Sequence, residues 1–145
     1  MKRPKGFTLI ELMVVIVILG ILSAVIAPRI PQFVDKAREG RTKGNLATLR
    51  STLNIYYSDN EGGYPVGAPA DALIPKYLKK IPECETVRTG HAKTESVDLT
   101  KTAATAGSGD TGGWGYEEDT TAAGWGDVWV ECSHNDLSGN RWTSY

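Results

Sequence analysis

The most regular feature of the chain is an apolar run from Phe7 to Ala27 whose one ionisable side chain is Glu11. Its 21 residues would form a helix of roughly 31 Å, the thickness of one bilayer hydrocarbon core. A carboxylate costs roughly 2.5–3.5 kcal/mol at mid-membrane and less near an interface, so Glu11 needs a reason to be there. Beyond the run, Ile30, Phe33, Val34 and Ala37 repeat at i, i+3, i+4, i+7, and Leu46, Leu49, Leu53 and Tyr56 continue in steps of three and four. That period predicts an amphipathic helix over 28–58. The link between the stripes, EGRTKGN, has two glycines and no large apolar residue, and is expected to bend or lie exposed.

Turn residues cluster in SDNEGGYP and predict the end of the helix near Ser58. ADALIPKYLKKIP reads as a short helix broken by Pro75, with Leu73, Ile74, Tyr77, Leu78 and Ile81 as core. From Glu85 to Gly113 the chain is rich in Thr, Ala, Gly and Ser and reads as an extended surface loop, 85–113. WGYEE, GDVWVEC and RWTSY then predict a three-stranded antiparallel meander over 114–145, burying Trp114, Tyr116, Val128, Val130 and Trp142. Trp125 and Trp129 fall on the outward phase of the alternation or form core or subunit contacts. The fold class is α+β: a long N-terminal α-helix whose second half packs on a small antiparallel sheet in a head of residues 59–145.

Charge divides the chain in the same place. Residues 1–58 hold nine Lys and Arg against three acids, and residues 59–145 hold seven against fourteen. An acidic head whose aromatics are not interleaved with basic residues argues against nucleic acid as a partner. Enzyme chemistry has little support, since His91, His134 and Asp136 are the candidates for acid, base or ligand and form no known constellation. Asn135, Asp136, Ser138 and Asn140 in HNDLSGN offer oxygen ligands to calcium but miss its alternate-residue spacing. A plain polar turn is the expectation, with no cofactor.

Lys2, Arg3 and Lys5 precede the apolar run as a basic region, yet a cleavable secretory signal fits poorly. The run is too long, Glu11 interrupts it, and cutting near SAVIAP would leave Pro28 at the new N-terminus. KGFTLIELMVVIVILGILSAVIAPRIPQF instead resembles the N-terminus of type IV prepilins and type II secretion major pseudopilins. The resemblance implies a pilin-like fold and a leader, 1–6, cut by a prepilin peptidase between Gly6 and Phe7. It implies N-methylation of Phe7, an assembly role for Glu11, and a weak point between Gly20 and Pro28 that extends when subunits polymerise. Pro28 and Pro31 remove the hydrogen bonds to the carbonyls of Ala24 and Ala27, which fits such a weak point.

The family also implies partners: copies of the chain in a helical homopolymer, an inner-membrane assembly platform, minor pilins or pseudopilins, and membrane lipid around 7–27 before assembly. The location implied is the bacterial inner membrane with a periplasmic head, then an extracellular or periplasm-spanning filament. In such a compartment Cys84 and Cys132, the two cysteines, are expected to form a disulfide, the alternative being two unrelated buried thiols. A monomeric membrane-anchored binding module is the competing function. PRIPQFVDKAREG and GGYP look more like a major pseudopilin, whereas the cysteine pair looks more like a pilin.

Overall fold

The computed structural model describes residues 6–99 and 102–145. Residues 1–5 of the expected leader, 1–6, lie outside them. The chain divides into two compact units, 1–35 and 36–145; the second takes in much of the segment 28–58 along with the head.

In the first unit, α1 (Leu9–Ile26) buries none of its residues. Large apolar side chains project all round it, from Leu9 at 82% exposed to Val15 at 45%. A helix apolar on every side belongs in lipid or among other helices. It is long and apolar enough to cross a membrane. Gly20 is helical, and the effect of Pro28 is confined to one 3-10 turn, Ala27–Arg29, after which α2 (Ile30–Asp59) begins. The stripe of Ile30, Phe33 and Val34 is also exposed.

In the second unit α2 buries Glu39, Thr42, Leu46, Leu49, Thr52 and Leu53. EGRTKGN neither bends nor lies fully exposed. Its polar residues continue the buried stripe because each finds a partner: the Thr42 hydroxyl donates to the Glu85 carbonyl (2.8 Å) and accepts from the Glu85 N–H (3.1 Å), and the Asn45 amide donates to the Glu83 carbonyl (2.7 Å). Such bonds remove the desolvation cost of burying polar groups. Pro65 onward leads to α3 (Pro69–Leu73), which stops before Ile74, the residue Pro75 forces into extended backbone at φ −98°, ψ 136°. Leu73 and Ile81 enter the core, with Ile74, Tyr77 and Leu78 packed at its edge.

The sheet differs from the expected meander. Its strands are β1 (Val97–Asp98), β2 (Gly113–Tyr116) and β3 (Val128–Glu131), in the order β1-β2-β3. β2 and β3 pair antiparallel, but β1 pairs parallel to β2. The third strand thus comes from the segment read as surface loop, while RWTSY ends in a 3-10 turn, Trp142–Ser144. The Asp136 carboxylate accepts the N–H groups of Ser138 and Asn140 (both 2.8 Å), which winds this region into a tight loop instead of extending it.

Register explains what each face buries. Trp114 opposes Val130 and Tyr116 opposes Val128, and this face packs with Leu46, Leu49 and Leu53 of α2. On the other face Gly115 opposes Trp129, and a Cβ at 115 would lie 2.2 Å from the indole, so only glycine makes room for it. Trp129 is therefore buried, at 4% exposed, and not outward-facing. The second face is covered by the Thr- and Gly-rich segment: the buried Glu131 carboxylate accepts the N–H groups of Gly107 (2.9 Å) and Gly109 (2.7 Å) and the indole N–H of Trp129. Trp125 is half-buried, its ring edge-on to Tyr64 at 5.8 Å.

Candidate functional site

The N-terminal site begins at Gly6 and Phe7, both exposed. Thr8 takes extended backbone and caps α1: its hydroxyl accepts the Glu11 N–H (3.3 Å), and the Glu11 carboxylate accepts the Thr8 N–H (2.8 Å) and hydroxyl (2.7 Å). This reciprocal capping box satisfies donors that the first helical turn would otherwise leave open. The acid also lies where the helix dipole favours negative charge. Glu11 stands out in the sequence as the one charge in the apolar run, whereas the part played by Thr8 shows only in the Thr-x-x-Glu spacing before that run, the signature of the motif.

The HNDLSGN loop does not present a calcium site. One Asp136 oxygen accepts from Lys43 Nζ (2.7 Å) and from the Tyr145 hydroxyl, and the other takes the two loop N–H groups. Lys43 also donates to Glu39 (2.7 Å) and to the Tyr145 oxygen (2.8 Å), and Glu39 accepts the Leu137 N–H (2.9 Å). An ammonium thus already occupies the place a cation would need. Burial opposes the charged form of Asp136, but the bonds from Lys43, Tyr145, Asn140 and Ser138 outweigh it and hold the carboxyl below the usual range. Desolvation opposes the charge on Lys43, but its hydrogen bonds to Asp136, Glu39 and Tyr145 outweigh that and raise it above an ordinary lysine.

Cys84 and Cys132 are fully buried and are free thiols in this structure. Burial, with a smaller effect of nearby Cys132, pushes the Cys84 thiol up to about 12. His91 and His134, unrelated in the sequence reading, come together with rings 5.2 Å apart, and Asp110 lies between them. Nothing in local sequence pattern could pair residues 91, 110 and 134; the fold of the covering segment does so.

Comparison with known proteins bears on the N-terminal site directly. Residues 1–27 match the family model described as the prokaryotic N-terminal methylation motif. The chain is 35% identical to type II secretion system core protein G of Pseudomonas aeruginosa over 95 residues, covering 56% of this chain and 67% of that one. It is 32% identical to the core protein G of Aeromonas hydrophila, covering 57% and 67%. With the type IV major pilin protein PilA of Myxococcus xanthus it shares 37% identity over 41% of this chain and 27% of the pilin. No solved structure matches. With its methylation motif, a wholly unburied apolar α1 and a small α+β head on α2, the chain belongs to the family of type IV pilins and type II secretion major pseudopilins.

Proposed function

We propose that the chain is the major structural subunit of a type II secretion pseudopilus, cut after Gly6, methylated at Phe7, and polymerised through its N-terminal helix. The observation that carries this reading is α1: a helix long and apolar enough to cross a membrane, with no buried residue and one carboxylate in its first turn. Lipid covers it before assembly, and the stems of neighbouring copies cover it afterwards. The exposed stripe of Ile30, Phe33 and Val34 extends the same contact surface. Relatives named core protein G support the secretion machine over a pilus, and the looser likeness to a pilin leaves the pilus as the second reading.

Glu11 supplies register. Both Thr8 bonds fall on Oε2, so Oε1 is the oxygen left to take a further donor. In the assembled state that donor is the Phe7 α-ammonium of a neighbouring copy. A buried ion pair often only breaks even against its desolvation, so its main effect is to fix where one stem sits along another. Gly20 to Pro28 is the segment that loosens as lipid is replaced by protein. The chain acts without catalysis; a prepilin peptidase processes it, and an assembly platform with minor pseudopilins builds the filament. Export also brings Cys84 and Cys132 to a disulfide donor, which accepts their two electrons and two protons as the bridge closes.

Intact mass tests the reading. Subunits from a sheared surface or periplasmic filament fraction should begin at Phe7 and carry one added methyl. A full-length or differently cleaved mass confined to membranes would overturn it in favour of an anchored monomer.

A further inference from the structure

We infer that the reduced head binds one zinc ion through His91, Asp110, Cys132 and His134. The ligand atoms of these four residues all lie within 4.8 Å of one another. Closer pairs are already at coordination spacing: His91 Nε2 to Asp110 Oδ1 is 3.2 Å, His134 Nδ1 to the same oxygen 3.3 Å, and Cys132 Sγ to His134 Nδ1 3.5 Å. Tetrahedral zinc with bonds of about 2.0–2.3 Å holds its ligands roughly 3.3–3.8 Å apart, so modest side-chain movement completes the shell.

The donor set suits that ion. Two imidazoles, a carboxylate and a thiolate match the nitrogen, oxygen and sulfur preferences of zinc, and the two anionic ligands balance its charge. Calcium and magnesium, which take oxygen, would not use three of the four. Binding displaces the Cys132 thiol proton to solvent as the zinc–sulfur bond forms. Protein backbone already orients the carboxylate, since the Ser133 N–H donates to Asp110 Oδ1 (2.8 Å).

The backbone is shaped to bring the ligands together. Asp110 has left-handed backbone, φ +48°, unusual for a side-chain-bearing residue. Gly112, at φ +72°, passes so close to His91 that a Cβ there would lie 2.5 Å from the histidine Cβ. Three separate stretches thus converge: the turn closed by the Cys84–Thr94 bridge, which carries His91, the covering segment, and the chain leaving β3. Zinc would tie all three together. It would also compete with the Cys84–Cys132 disulfide, because one Sγ cannot serve both, so metal and bridge are alternative closures of the same part of the head.

The test uses the full processed chain in detergent, kept reduced with a phosphine, titrated with zinc against a chromophoric chelator and separately with cobalt(II). The expected result is one equivalent of either metal. Cobalt should give a thiolate charge-transfer band and the intense visible absorption of a four-coordinate site. Cys132→Ser and His134→Ala should each weaken binding more than about tenfold, and Cys132→Ser should remove the charge-transfer band. His134 is exposed, so its removal leaves the core intact. Cys84→Ser should bind as the parent does, and bound zinc should slow oxidation of the cysteine pair by a disulfide donor. Failure of the reduced parent to take up one equivalent, or equal uptake by Cys132→Ser and His134→Ala, overturns the site.

Discussion

Glu11 and Thr8 satisfy each other across the first turn of α1, the acid taking both the hydroxyl and the N–H of Thr8 on one oxygen. The pairing reduces the cost of holding a carboxylate in an apolar helix, because the charge enters with hydrogen bonds already made. It caps the helix on its own chain, and in the proposed filament the same carboxylate would also receive a neighbour's ammonium.

Thr8→Val distinguishes those roles. The substitution removes the side-chain half of the cap, worth about 1 kcal/mol, but keeps the Glu11 carboxylate. Leader cleavage should be unchanged, and the amount of subunit in the sheared fraction should fall less than in Glu11→Ala. Immunoblots of sheared and membrane fractions check the order of the two effects.

Acid should weaken the head through Asp136. Its native carboxyl is held below the usual range, so its contribution is fully present above the unfolded value of about 3.9 and is lost as pH falls through the native value. Urea midpoints of the detergent-solubilised chain should therefore be level above about pH 5 and drop below about pH 4. Asp136→Asn should flatten the acid slope relative to the parent. At neutral pH Asp136→Ala leaves Lys43 with Glu39 as its remaining carboxylate partner, and should lower stability by roughly 3 kcal/mol. Exposed pairs such as Arg41 with Glu83 (2.6 Å) should matter far less when broken, about 1 kcal/mol or below.

Two glycine substitutions should move in opposite directions. Gly115→Ala puts a methyl into the Trp129 ring and should cost about 1–3 kcal/mol, with a shift in tryptophan fluorescence. Gly40→Ala meets nothing within 4 Å on the exposed face of α2 and should stabilise the monomer by up to about 1 kcal/mol. Thermal melts of both variants in detergent provide the comparison.

What the sequence revealed followed the strength of its local signals. Both helical stripes, the stop near Ser58 and the core trio Leu46, Leu49 and Leu53 were legible because 3.6-residue periodicity and turn clusters are short-range. Trp114, Tyr116, Val128 and Val130 were legible from alternation. β1 was not: two residues, Val97 and Asp98, make a strand through their pairing with Trp114 and Gly115, not through composition. The burial of Trp129 depends on a low-complexity segment folding over it, anchored on Glu131 from more than twenty residues away. The loop around Asp136 could not be read either, because the cation that occupies it is a lysine on α2.

In the proposed filament α1 assembles the subunits and Glu11 sets their register. The yield of Glu11→Ala in the sheared surface or periplasmic filament fraction, normalised to the processed, methylated pool in membranes, tests this role. Cleavage after Gly6 should be normal, with little or no subunit in that filament fraction. A variant that is processed and sheared in the same amount as the parent would contradict that role.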